Sequence, residues 1–154
     1  MILETERLWL RPRTMDDLDD CFAMDCQPGV TDFIRGPWAD ADEHRGFISD
    51  RISMDYGKGL GYWSLFAKTA PDRFIGWRLK PEFWGRGYAT EAAKTLLCHG
   101  FDNVRLSGMV ACIDHRNAGS IAVARKIGMV RRNEVADDVL YAMTADEFAA
   151  SIVT

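Results

Sequence analysis

The sequence predicts one compact domain of mixed α/β class. Three observations carry that prediction: 154 residues with 47% hydrophobic and 27% charged character, alternating segments of strand and helix pattern, and a glycine turn that delivers a strand into a helix. A second domain would be hard to fit into this length. No internal repeat, low-complexity segment or linker interrupts the chain.

The elements follow in order. Met1-Ile2-Leu3-Glu4-Thr5-Glu6-Arg7 carries acidic residues where a signal peptide would need a basic and then an apolar run, and no apolar stretch is long enough to span a bilayer. The chain therefore reads as soluble and cytoplasmic. Leu8-Trp9-Leu10-Arg11-Pro12 is a short strand ended by proline, and Thr14 caps a helix with Asp16 and Asp17 in its first turn. Met15, Leu18, Cys21 and Phe22 are expected to share its apolar face. Pro28, Gly29, Gly36 and Pro37 break residues 25–38 into loop and turns, and Asp40 or Asp42 starts a second helix with Phe47, Ile48 and Ile52 at helical spacing. Gly57, Gly59 and Gly61 close it.

Residues 62–68 and 73–79 have strand character and are joined by the turn Thr69-Ala70-Pro71-Asp72, which predicts a hairpin. After the glycine turn, a helix over 89–99 buries Ala92, Ala93, Leu96 and Leu97. A buried strand over 109–113, a helix over 117–127 stopped by Gly128 and a last strand over 139–143 complete the pattern.

Charge and cysteine usage narrow the function classes. A net charge of −4 and a sequence pI near 5.3 argue against nucleic acid as the main ligand and suit a cationic amine. Cys21, Cys26, Cys98 and Cys112 are scattered and read as reduced core thiols. His44, His99 and His115 are equally dispersed, so no metal site is expected.

The chemistry concentrates in Trp84-Gly85-Arg86-Gly87-Tyr88-Ala89-Thr90. A chain reversal that leads glycines into a helix N-terminus presents backbone N–H groups and the positive end of the helix dipole. Without side chains in the way, that backbone can approach a diphosphate, so the turn signals a phosphate-bearing cofactor. No Gly-Lys-Ser/Thr follows, and Thr90 stands where a dinucleotide-binding fingerprint needs glycine or alanine. A bare Gly-x-Gly is also compatible with an ordinary strand-to-helix turn.

The longer stretch, from Trp77-Arg78-Leu79-Lys80-Pro81-Glu82-Phe83 through Trp84-Gly85-Arg86-Gly87-Tyr88-Ala89-Thr90-Glu91-Ala92, resembles the acetyl-CoA signature of the GNAT N-acetyltransferase superfamily, in the form of its ribosomal-protein N-acetyltransferase branch. Glu4-Thr5-Glu6-Arg7-Leu8-Trp9-Leu10-Arg11-Pro12, His99-Gly100-Phe101, Asn117-Ala118-Gly119-Ser120 and Lys126-Ile127-Gly128-Met129 resemble the same branch in the same order. The resemblance covers nearly the whole chain. It implies a single N-acetyltransferase domain over residues 1–154, with a mixed, mostly antiparallel central sheet flanked by helices.

By the same resemblance, acetyl-CoA is the co-substrate and a primary amine, on a protein N-terminus or a small molecule, is the acceptor. No metal, nucleic acid or membrane is involved, and a homodimer stays open. Backbone N–H groups from Gly85 to Thr90 would hold the pyrophosphate. Arg86 would either add charge or remain a solvated loop residue, and Asn117 would contact the pantetheine arm, a role compatible with capping its helix. Many superfamily members protonate the leaving thiolate with a tyrosine at the position of Ala124 here, so Ser120 is the expected catalytic acid.

The chain departs from the family pattern around Ile75-Gly76-Trp77, where two strand ends run together as if a hairpin were absent, and the last hairpin, Asn133 to Val139, also looks short. The general base belongs to that region in the family. An acyl-CoA-binding regulatory module with little or no transferase activity is therefore the alternative. A flavin- or nucleotide-binding domain would explain the glycine turn but not residues 117–129.

Overall fold

A computed structural model describes residues 1–69 and 78–153 of the chain. It divides into two compact units, Met1–Ala92 and Ala93–Thr154. Among the described residues no helix is long and apolar enough to cross a membrane.

In the first unit, β1 (Leu3–Glu4), β2 (Leu8–Pro12) and β3 (Trp63–Ala67) form an antiparallel sheet in the order β1-β2-β3. Leu8 pairs with Ala67 and Leu10 with Leu65, and the period-two alternation buries all four while Trp9 stays exposed on the other face. After Pro12, the Thr14 amide donates to Asp17 Oδ2 at 3.0 Å and starts a 3-10 turn, Met15–Asp17, which runs into α1 (Leu18–Asp25). Asp40 caps α2 (Ala41–Ser53), its Oδ1 accepting from the Glu43 amide at 2.9 Å. Cys21, Met24, Val30 and Ile48 form the core between these helices, with Leu18, Phe22, Ile52 and Phe66 against it.

α3 (Tyr88–Cys98) begins in the first unit and ends in the second, continuing into a π-helical turn, His99–Asn103. The second unit adds β4 (Gly108–Asp114), α4 (Ala118–Lys126), β5 (Val130–Val135), β6 (Asp138–Thr144) and α5 (Ala145–Ile152), with an antiparallel sheet in the order β4-β6-β5. Val139, Tyr141 and Met143 alternate inward along β6 and meet Phe101, Ile113, Ala124, Met129 and Phe148. The Phe101 and Phe148 rings stack with centroids 4.8 Å apart.

Several local expectations change. Met15 is exposed, because it lies in the 3-10 turn rather than on the inner face of α1, and Met24 takes its place in the core. Of the cysteines, all free, Cys21 alone is buried, while Cys26 and Cys112 are exposed. Most of the expected second hairpin strand, residues 73–77, lies outside the described residues, as does the apparent hairpin loss around Ile75-Gly76-Trp77. Arg78 and Leu79, its last two residues, form a turn instead, with Leu79 at φ 57°. β1 and α5 were not anticipated.

Candidate active site

The glycine turn is assembled from the proline onward. Pro81, whose ring presets a helical φ, opens a 3-10 turn, Pro81–Phe83, that buries the Phe83 ring. Trp84 then turns extended, its indole N–H donating to the Leu79 carbonyl at 3.0 Å and its ring lying against Gly29, where an added Cβ would stand 3.1 Å from it. Gly85 and Gly87 adopt φ of 70° and 78°, a left-handed conformation that side chains disfavour. A Cβ on Gly85 would meet open space, so the backbone angle, not crowding, requires glycine there.

The Glu91 amide donates to the Gly87 carbonyl at 3.0 Å, so the amides of Tyr88, Ala89 and Thr90 precede the first helical hydrogen bond of α3. Trp84, Gly85, Arg86 and Gly87 are exposed, and Tyr88, Ala89 and Thr90 are half-buried. The Arg86 guanidinium carbon lies 5.9 Å from the centre of the Phe83 ring. The exposed glycines and the amides behind them therefore present backbone donors and the positive end of an 11-residue helix to solvent.

The contacts that hold this turn are not legible in the sequence. Arg7 Nη1 donates to the Arg86 carbonyl at 2.8 Å, and Nε and Nη2 each reach Glu91 Oε2 at 2.6 Å. The Arg7 amide donates to Glu91 Oε1 at 3.0 Å, and the Thr5 hydroxyl donates to the same oxygen. Both partners lie in segments that carried the family resemblance, yet 84 residues separate them and no local pattern joins them.

In the second unit, Asn117 stands as the N-cap of α4, its Oδ1 accepting from the Ser120 amide at 3.1 Å. Ser120 is exposed in the first turn of that helix. Ala124, one turn further, is buried in the core of the unit and offers no acid.

A buried polar cluster in the first unit was equally invisible. His44 Nε2 lies 3.0 Å from Asp25 Oδ2, and Arg78 pairs with the other carboxylate oxygen. The His44 ring packs 4.7 Å from Phe22 and 4.8 Å from Trp38, centroid to centroid. Nearby, Arg11 grips both oxygens of Asp17 at 2.7 and 2.8 Å, and Ser64 donates to Oδ2 at 2.9 Å. Burial alone would raise the Asp17 carboxyl, but these donors and the Thr14 amide outweigh it and hold it below the usual carboxylate range. Burial pulls the Arg13 guanidinium below its ordinary value and pushes the Cys21 thiol up to about 11, so Cys21 is no nucleophile at neutral pH. Among the described residues no group of three His, Cys, Asp or Glu side chains could hold a metal ion.

Of the tryptophans away from the glycine turn, Trp63 is buried, Trp38 is half-buried against His44, and Trp9 is exposed. Trp77 lies outside the described residues.

Comparisons with known proteins place this geometry in a family. The model of the acetyltransferase (GNAT) domain matches residues 7–130. The protein YkkB of Bacillus subtilis (strain 168) is 47% identical over 55 residues, 36% of this chain, and the chain spans only 32% of YkkB. The N-acetyltransferase p20 of Bacillus licheniformis is 25% identical over 152 residues, covering 88% of this chain and 85% of its own length. The crystal structure of an acetyltransferase from Agrobacterium tumefaciens str. C58 superposes with a TM-score of 0.78 and 26% identity, over 93% of this chain and 94% of that one. With the glycine turn at the head of α3 inside the matched region, the chain belongs to the GNAT acetyltransferase family.

Proposed function

We propose that the chain transfers an acetyl group from acetyl-CoA to a primary amine, either a protein N-terminal α-amine or a small amine. The observation that carries this reading is the exposed turn with left-handed Gly85 and Gly87 at the head of α3, inside the region matched by the family. Members of this family use acetyl-CoA as co-substrate and act on amines. Trp84, Gly85, Arg86, Gly87, Tyr88, Ala89 and Thr90 hold the diphosphate through backbone N–H groups, and Asn117 meets the pantetheine arm. The two units act as one acetyltransferase domain over residues 1–154, a reading supported by a family match that crosses their boundary. The protein works in the cytoplasm.

The reaction needs a neutral amine. An α-amino group, with a pKa of about 8, is neutral at pH 7 far more often than a lysine side chain at about 10.4. The amine attacks the thioester carbonyl and a C–N bond forms, the nitrogen loses a proton to water, the C–S bond breaks, and the CoA thiolate takes a proton from water or from Ser120, which solvent then reprotonates. Resemblance to the ribosomal-protein N-acetyltransferase branch and this pKa argument together favour an α-amine acceptor.

Calorimetry with acetyl-CoA tests the cofactor, and release of free CoA in the presence of an amine tests the transfer. Wild-type protein binds, and Gly87→Glu abolishes binding, because a side chain at φ 78° strains the turn and its Cβ, 3.4 Å from Arg7 Nη2, brings a second carboxylate against the residue that holds it. Thiol release is faster with α-amine peptides than with lysine side chains near neutral pH and rises with pH as the acceptor deprotonates. No heat with excess acetyl-CoA would sink the reading. Binding without any thiol release would replace it with an acyl-CoA-binding module.

A further inference from the structure

We propose that Arg7 and Glu91, with Thr5, are positioning residues that aim the backbone donors of the glycine turn at the diphosphate of acetyl-CoA. This rests on the acetyl-CoA reading given above.

Arg7 acts on the peptide between Arg86 and Gly87. A trans peptide is planar, so its carbonyl and its N–H point in opposite directions. Arg7 Nη1 holds the Arg86 carbonyl at 2.8 Å. That one bond therefore fixes where the Gly87 N–H points, on the side of the turn facing away from Arg7. Glycines on both sides of Arg86, at φ of 70° and 78°, leave this peptide with much more rotational freedom than other residues would allow. A diphosphate site made of backbone donors gains affinity when the donors are held in place beforehand, and loses it when they must be ordered on binding.

Arg7 is itself fixed on three sides. Nε and Nη2 meet Glu91 Oε2 at 2.6 Å, a charge-assisted contact. The guanidinium carbon lies 4.6 Å from the centre of the Tyr88 ring. The Arg7 backbone amide and the Thr5 hydroxyl hold the other carboxylate oxygen of Glu91. A Cβ on Gly87 would stand 3.4 Å from Arg7 Nη2, so the guanidinium is packed directly against the turn.

The pair also settles an electrostatic conflict. Glu91 lies in the first turn of α3, where the helix dipole favours a carboxylate, yet an uncompensated carboxylate there would repel an incoming diphosphate. Arg7 neutralises it. Burial would raise the Glu91 carboxyl, but the Thr5 hydroxyl and the Arg7 amide and guanidinium outweigh that and hold it below the usual range, so it stays ionised and bound to Arg7 near neutral pH. Glu91 without Arg7 is thus worse for anion binding than neither residue.

That last point gives a test that a purely structural brace would not pass. Affinity for CoA is measured by calorimetry in wild type, Arg7→Ala, Glu91→Gln, Arg7→Ala/Glu91→Gln and Arg7→Lys, and the Gly85 and Gly87 amide resonances are followed by NMR. Arg7→Ala weakens CoA binding ~10-fold or more, through the loss of a charge-assisted clamp and the exposure of a like charge. The double variant binds more tightly than Arg7→Ala alone. Arg7→Lys is intermediate, because a single ammonium is not a planar fork that spans both the carboxylate and the Arg86 carbonyl. The Gly87 amide shifts in Arg7→Ala before any ligand is added. Should Arg7→Ala fail to fold, Arg7→Lys and Glu91→Gln carry the test by the same two readouts.

CoA affinity within twofold of wild type in the folded Arg7 variants, or a double variant weaker than Arg7→Ala, would overturn the proposal. So would losses of affinity that follow thermal stability while the Gly87 amide stays unmoved. Wild-type protein that binds no CoA would instead sink the acetyl-CoA reading beneath it, an outcome separable from all of these.

Discussion

Asn117 and Ser120 share one turn of helix, where the observed cap and the acid proposed for Ser120 use different atoms. The Asn117 side chain accepts from the Ser120 amide, which fixes the helix start and leaves the Ser120 side chain on the exposed first turn. Because the bond uses the backbone of Ser120, removing the hydroxyl leaves the cap intact. Ser120→Ala is therefore expected to lower kcat with little change in acetyl-CoA affinity or melting temperature, as for a group acting on the leaving thiolate. Steady-state kinetics beside calorimetry checks this, and equal losses of affinity and stability would assign Ser120 to helix packing. At this scale the two glycines were legible because a left-handed backbone writes itself as glycine. Arg7 and Glu91 were not, since each looks like an ordinary surface charge until the fold brings them together.

Between elements, the link that matters most in the first unit is polar. Asp25 at the end of α1 faces His44 in the first turns of α2, and Arg78, just before the glycine segment, closes the other side of the carboxylate. Asp25 is fully buried as a side chain and His44 nearly so, at 0% and 2% exposure, so either partner left alone would keep an unmet polar group out of water. Asp25→Ala is expected to destabilise the protein by about 3 kcal/mol, the scale for breaking a buried pair. Urea unfolding measures this, and a loss below about 1 kcal/mol would show that the cluster relaxes to admit water. Helix periodicity located both helices but not this link, because burial of Asp25 and His44 depends on how α1 and α2 pack. α5 escaped notice although Thr144 and Glu147 form a capping box, the Thr144 amide donating to Glu147 Oε2 at 2.9 Å and the Glu147 amide to Thr144 Oγ1 at 3.2 Å. The signal was present immediately after the expected strand over 139–143, where the element order was read as complete.

For the whole molecule, acid is the informative perturbation. Asp17 and Glu91 are each held below the ordinary carboxylate range by donors that outweigh burial. A depressed folded-state pKa means these groups stabilise the protein above the unfolded value, at roughly pH 4, and lose that contribution as pH falls toward the folded value. Urea midpoints are therefore expected to fall between roughly pH 5 and pH 3, and Asp17→Asn should flatten that fall while lowering the midpoint at pH 7. A pH profile of Asp17→Asn parallel to wild type would remove Asp17 from the account. Loss of Glu91 ionisation should weaken CoA binding over the same acid range if the Arg7 clamp acts as proposed.

The sequence by itself determined the class of fold, the position of most helices and strands, and the glycine turn, because each is encoded locally. Side-chain period sets strand or helix, and caps and prolines set ends. Gly85 and Gly87 record backbone angles that other residues resist. Tertiary structure alone decided which charges are buried and which residues hold the turn. Asp17, Asp25 and His44 are buried, and Arg7 reaches Glu91 and the Arg86 carbonyl, through packing between segments far apart in the chain. Burial and long-range pairing depend on where distant surfaces meet, and a charge costs too much to bury until that meeting supplies its partner.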